Sequence, residues 1–283
     1  MDVLHNRSDV YAVVYFGVII LVSVVESWTP RRQPGDAARV RWLSNFALAI
    51  MGTTIVKLTF PIASLTLAAL CESRGWGLFH YIPIPRAAQF AITILAIDAT
   101  GYCQHYLLHR IPLLWRIHRT HHSDHDYDFS TGARFHPIET VYTTSILLLP
   151  VLALGAPPEA VFLSQIISTI SGFTEHGNLR YGSTLDRVLR WFVVTPNMHR
   201  IHHSRLGVES LTNYGGTFSW WDRLFGTYLG QPAAGYEQMQ FGLDGFLERK
   251  HLSLHWMLAQ PFLDEPSSEP RDESISAQEL IRP

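Results

Sequence analysis

The chain has 283 residues, 47% of them hydrophobic and only 16% charged, where a soluble domain carries roughly 25% charged residues. A formal net charge of −2 supplies no basic field for a nucleic-acid partner. The two isolated cysteines, Cys71 and Cys103, make neither a disulfide framework nor an iron–sulfur site and read as buried filler. The composition therefore points to a membrane protein.

Residues 11–25 form a nearly uninterrupted apolar run, preceded by Ser8-Asp9 as a helix cap and closed by Glu26. The run approaches the ~20 residues of a membrane span. No basic leader precedes it and no small-residue cleavage site follows, so it is expected to be a retained transmembrane helix. Residues 42–71, interrupted by Lys57 and Pro61, predict one kinked helix or a broken pair. A third run covers 87–109. A fourth, 138–173, is split by Gly155-Ala156-Pro157-Pro158 and predicts a helical hairpin. Residues 174–263 are less apolar and predict a helical cap, and the polar, acidic end is expected to be disordered. The expected organisation is an all-α polytopic protein of four to five membrane or hairpin helices. It divides into an N-terminal transmembrane region 1–86, a catalytic domain 87–263 and a tail 264–283.

The loop 29–41 carries Arg31, Arg32, Arg39 and Arg41 against one Asp36, which places it in the cytoplasm and the N-terminus outside. Counting crossings from there brings residues after 109 back to the cytoplasmic side, where Arg110, Arg116, Arg119 and Arg200 agree with the charge bias. The expectation is a multi-pass protein of a bacterial inner membrane or endoplasmic reticulum, with its site facing the cytoplasm. Arg116, Arg119 and Arg200 are candidates for anchoring at headgroups or docking an acidic electron carrier.

Eleven of the fifteen histidines lie between positions 105 and 203. His105 and His109 in HYLLH share a helix face one turn apart. HRTHH (His118, His121, His122) and HRIHH (His199, His202, His203) repeat one pattern with offsets 0, 3 and 4, again one helix face. These eight imidazoles are too many for one ion of four to six ligands, and imidazole suits iron, zinc, copper or nickel. The spacing therefore points to a two-metal site in which each triplet clamps part of the pair. His136 in RFHPIE and His176 in TEHGN flank the hairpin and are added as ligands; His125 is a weaker candidate. His5, His80, His251 and His255 are treated as structural or interfacial. Metal-bound histidines pass their other N–H to a carboxylate or carbonyl. Asp98, Asp124, Glu139, Glu175, Asn178 and Asp222 are the candidates to receive it, with Asp98 two turns before His105 on one face. Phosphate binding or pH sensing by an interfacial histidine cluster is the rival reading of the histidines themselves.

HYLLH, HRTHH and HRIHH, in this order, resemble the histidine boxes of the fatty acid hydroxylase/sterol desaturase superfamily. WRIHRTHHSDHDYDFSTGARFHPIE (115–139), EHGNLR (175–180), TPNMHRIHHS (195–204) and NYGGTFSWWDRLFGTY (213–228) carry the same resemblance. Cys103 and Tyr106 depart from it, standing where relatives usually have Trp and Arg. The resemblance implies two iron ions (zinc being possible as isolated), O2, a lipid substrate in the bilayer and hydroxylation or desaturation of a C–H bond. No HPGG-type haem-binding stretch is present, which implies a separate electron-donor protein. Tyr102, Phe129, Phe135, Phe173, Phe218 and Trp220 are candidates for the apolar lining of the site, with ordinary core packing the commoner role for any one of them. Two other functions use the same donors: a two-metal hydrolase acting on a lipid, and a metal transporter. The transporter is disfavoured because only Lys57 and Asp98 lie charged in mid-membrane.

Overall fold

The computed structural model describes residues 2–60 and 64–264, so the expected tail lies, apart from Asp264, outside the described residues. The described residues form helices and loops, with two isolated β-bridges and no strand. Helix α1 is Asp2–Trp28, α2 Ala38–Thr59 and α3 Ser64–Arg74. The apolar stretch 42–71 is thus a broken pair. Helix α2 stops ahead of Pro61, whose ring pushes the preceding residue out of the helical region. Helix α4 is Arg86–Arg110, α5 Pro112–His122, α6 Pro137–Leu154 and α7 Pro158–Glu175. The last two form the expected hairpin. Gly155 ends α6 in the left-handed region (φ 63°), which a side chain would disfavour, and Pro158 opens α7 where its missing N–H costs nothing.

Three segments of the described residues are long and apolar enough to cross a membrane: Asp9–Trp28, Ala38–His80 and Pro137–Leu154. Helix α4 is not one of them, because its inner face carries Asp98, Gln104, His105 and His109. It packs between α6 and α7, while α1 packs on α7 and α2 on α6. The remaining chain is built from short helices: α8 Ser183–Leu189, α9 Pro196–His202, α10 Gly207–Ser210, α11 Trp220–Leu224 and α12 Leu254–Ala259. The C-terminal ends of α1, α4, α5 and α7 and the N-terminal ends of α2 and α6 meet at one end of the bundle, and α9 closes over them. Proline at the first turn fixes the start of α5 and α9, so the register in which each presents its histidines is set from its N-terminus.

Candidate metal centre

The histidines of α4, α5 and α9 and the end of α7 converge into two adjacent groups. His105, His109, His118, His122 and His202 form one; His121, His176, His199 and His203 form the other. Within each group one nitrogen from each ring lies within 4.8 Å of those of the others. Each H-R-x-H-H triplet is divided between the groups. The i, i+4 pair His118/His122 enters the first and His121 the second, whereas His199/His203 enter the second and His202 the first. The two triplets therefore cross, and the groups touch: the rings of His122 and His203 stack at 4.5 Å.

The rings are held from behind. His105 Nδ1 bonds the Tyr214 carbonyl and His202 Nδ1 the Thr212 carbonyl, both at 2.8 Å. His176 Nδ1 bonds Gly172 O at 2.6 Å, His121 Nδ1 bonds Arg134 O at 3.3 Å, and His118 Nδ1 meets Glu139 Oε1 at 2.6 Å. A neutral ring that donates through Nδ1 has a bare lone pair on Nε2. The Nε2 atoms of His109, His118, His122 and His202 are buried without a partner. His121 Nε2 and His176 Nε2 face each other at 3.2 Å, and His199 Nε2 stands 3.1 Å from His176 Nε2 and 3.2 Å from His203 Nε2. Opposed lone pairs at such distances repel unless a cation lies among them. The donor set fits a pair of transition-metal ions, and contains no thiolate of the kind that builds structural zinc sites.

Burial removes water from these rings and disfavours their charged form. It brings His118 down to about 3, and His176 to about 4 against the opposing pull of its bond to Gly172. His121, His122, His199, His202 and His203 lie well below the ordinary histidine value, first through burial and then through mutual repulsion. All are neutral, with lone pairs available, at pH 7.

His136 stands outside both groups, which corrects its expected place among the ligands. It caps α6, its Nδ1 accepting the Ile138 N–H at 3.2 Å while Nε2 points to the Leu258 carbonyl. A His-Pro pair at a helix start is a cap by local chemistry, and that signal was present in the sequence. His125 also stands apart, its Nε2 bonded to Phe246 O at 2.7 Å.

The carboxylates and Asn178 sort differently from expectation. Glu139 alone of the expected residues hydrogen-bonds a ring of the cluster. Asp98 receives no histidine; it accepts from Trp221 Nε1 at 2.7 Å and from the Phe218 N–H at 3.2 Å. Asp124 accepts from Arg41, Asn45 and Thr131. Burial works against its charge, but Arg41 and Arg134 outweigh it and hold it well below the usual carboxylate range. With Asp128, which Arg41 also contacts at 2.7 Å, this buried ion network pins the loop between α5 and α6 to α2. Asn178 exchanges hydrogen bonds with the Arg32 backbone. Asp222 acts one step removed: it accepts the N–H groups of Tyr214 and Gly215, fixing the carbonyl that His105 grips. A Cβ at Gly215 would lie 2.9 Å from Asp222 Oδ2, so that approach requires glycine.

Arg119 and Arg200 are buried, which removes them as docking or headgroup residues. Arg119 and Arg116 both bind carbonyls of 260–263, and Arg200 lies over the Tyr127 ring.

The cluster opens into a channel. A cavity of about 480 Å³ is bordered by His105, His118, His121, His176 and His199, with Phe135, Phe173, Leu108, Glu175 and Asp98 on its walls. A second, of about 260 Å³, continues along α7 to Val151, Val161 and Gln165. The two share Tyr11, Ile97, Leu147, Ser168 and Thr169. Of the expected aromatic lining, Phe135 and Phe173 face this space; Tyr102, Phe129, Phe218 and Trp220 do not line it.

The profile of the fatty acid hydroxylase family matches residues 90–227, a stretch that holds all nine clustered histidines. The ornithine lipid hydroxylase of Rhizobium tropici is 29% identical over 270 residues, covering 90% of this chain and 78% of that protein. The alkylglycerol monooxygenase of Homo sapiens is 32% identical over 234 residues, and that of Xenopus tropicalis 27% over 236. These alignments take in 81% and 82% of this chain but 48% and 49% of the relatives, so the chain spans about half the length of the alkylglycerol monooxygenases. No solved structure matches.

Proposed function

Residues 90–227 belong to the fatty acid hydroxylase family, and from that premise we propose that the protein is a membrane monooxygenase that hydroxylates a C–H bond of a lipid chain at a di-iron centre. The observation that carries the reading is the pair of buried imidazole groups, with opposed bare nitrogens, at the end of an apolar channel. The reaction balances as lipid C–H plus O2, two electrons and two protons giving C–OH and water, the electrons coming from a separate donor protein.

When bound, two irons supply the redox chemistry that activates O2. The chain's residues do the rest. His105, His109, His118, His122 and His202 would hold one ion, and His121, His176, His199 and His203 the other. Glu139 and the carbonyls of Thr212, Tyr214, Arg134 and Gly172 fix the ring orientations before any metal arrives, which is the usual outer support of metal-binding histidines. Phe135, stacked on His121 at 4.4 Å, and Phe173 keep water off the channel side. Glu175 Oε2, buried and without a partner beside His176, offers an acceptor at the channel wall.

Two cavities that share five lining residues, one at the cluster and one beyond it between α6 and α7, favour a linear hydrocarbon over a fused ring system. The names of the relatives favour hydroxylation over desaturation, and a polar glycerolipid or aminolipid as substrate. The cytoplasmic side, from Arg31, Arg32 and Arg39, remains part of this proposal.

Metal analysis of the detergent-purified protein, followed by O2 uptake on reduction with ornithine lipid or an alkylglycerol, tests the reading. About two irons per chain with lipid- and reductant-dependent O2 uptake and a product heavier by one oxygen are expected. Two zincs with no uptake after iron reconstitution would overturn it in favour of a hydrolase.

A further inference from the structure

Two short helices of the C-terminal segment are amphipathic in the sense opposite to a water-facing surface. On α8 the polar pair points into the protein. Asp186 accepts from Tyr181 and Thr195, and Arg190 pairs with Asp186 and donates to Gly230 O. Its apolar side faces outward and continues past its end, with Leu185, Val188, Trp191 and Phe192 each more than half exposed. On α11 Asp222 is fully buried, whereas Leu224 (69%) and Phe225 (58%) face out. The two surfaces join, since Trp220 Nε1 donates to Trp191 O at 3.0 Å and the Arg223 guanidinium lies 4.8 Å over the Trp191 ring. A soluble protein rarely exposes so continuous an apolar patch without a partner.

The position of the patch identifies the partner. Helix α11 meets α4 at its middle, not at its metal end: Trp221 bonds Asp98, and Phe225 stacks on Tyr102 at 5.2 Å. Asp98 lies seven residues before His105, the first clustered histidine of α4, about 10 Å along a helix, toward the end of the bundle remote from the metals. The patch is therefore displaced away from the histidine end, alongside the bundle that contains the apolar spans.

We propose that α8 and α11 form a membrane-insertion surface, lying in the plane of the interface with their outward apolar face buried in one leaflet and Arg187 and Arg223 at the headgroups. Tryptophan, phenylalanine and leucine interleaved with arginine are the composition of in-plane membrane helices. The consequence is local delivery. Gly216 and Thr217, which border the channel, lie immediately before Phe218 and α11, so the inserted edge brings the leaflet up to the channel wall. This inference is independent of the chemistry at the metal centre.

Nitroxide labelling tests it in the full-length, metal-loaded protein. Single cysteines at Phe192 and Leu224 are made in a Cys103→Ser background and labelled in phosphatidylcholine/phosphatidylglycerol nanodiscs. Leu58→Cys, on an apolar span, is the lipid reference and Glu248→Cys the water reference. Relaxation by O2 is compared with relaxation by a water-soluble nickel chelate. Both test sites should match Leu58, with an O2-to-nickel ratio several-fold above that of Glu248. A ratio equal to that of Glu248 would overturn the proposal. So would low accessibility to both reagents with spin–spin broadening between copies, which would make the patch a self-association surface.

Discussion

His121 Nε2 stands 3.2 Å from His176 Nε2, although each ring already spends its Nδ1 on a backbone carbonyl. Two lone pairs held in opposition store repulsion that a bound cation relieves, so metal occupancy should be readable residue by residue. His121 and His202 belong to different groups. Removing either by substitution with alanine should abolish turnover, and each variant should keep roughly one of two metals. Metal analysis checks this. Full occupancy in both variants would refute the two-metal arrangement, and loss of both metals from each would show that the groups fill together.

Much of this site was legible in the sequence, because i, i+4 spacing on a helix is itself geometry. The hairpin was legible for a similar local reason, Gly-Ala-Pro-Pro being a strong breaker. The division of each triplet was not, since it depends on the angle at which α5 meets α9. Nor were the acceptors behind the rings: Thr212, Tyr214, Arg134 and Gly172 act through carbonyls, which every residue has. Asp98 shows the opposite error. It does share a face with His105, but its partners, Trp221 and Phe218, come from more than a hundred residues away. Arg41 looked like a topology signal and is buried between Asp124 and Asp128.

Glu139 is the carboxylate that steadies a ring of the cluster, meeting His118 Nδ1 at 2.6 Å with both groups buried. Glu139→Gln retains shape and an acceptor but replaces the carboxyl that meets His118 Nδ1 with a weaker amide oxygen. Metal affinity should fall roughly 10–100-fold, the usual cost of losing such an outer partner. Competition with a chelator of known affinity measures it. Unchanged affinity would show that the backbone carbonyls alone orient the cluster.

The buried histidines also set a pH dependence for the metal-free protein. An unfolded chain protonates its histidines near 6.5, whereas folded His118 and His176 do so only near 3 and 4, mainly because of burial. Between those limits the unfolded state binds more protons, so stability rises with pH across the window and is lost as pH falls below about 6.5. The Tm of chelator-stripped protein in detergent should therefore drop steadily from pH 7 to pH 5. The metal-loaded protein should hold its Tm until protons displace the metal. A flat profile for the stripped protein would mean that the rings take up protons without unfolding.

Gly101 offers a way to close the channel without touching a ligand. It lies on the channel wall of α4, one turn before His105, and a Cβ placed there would meet nothing within 4 Å. Replacing a helical glycine removes backbone freedom from the unfolded chain, which by itself favours the fold by up to about 1 kcal/mol. Gly101→Leu should keep both metals and an equal or higher Tm, yet lower lipid turnover at least ~10-fold if its side chain fills space that the substrate needs. Gly101→Ala should fall between. Because stability and turnover are expected to move in opposite directions, a misfolded variant cannot imitate the result. Native turnover by Gly101→Leu, with metals in place, would mean that the substrate reaches the histidines by another path.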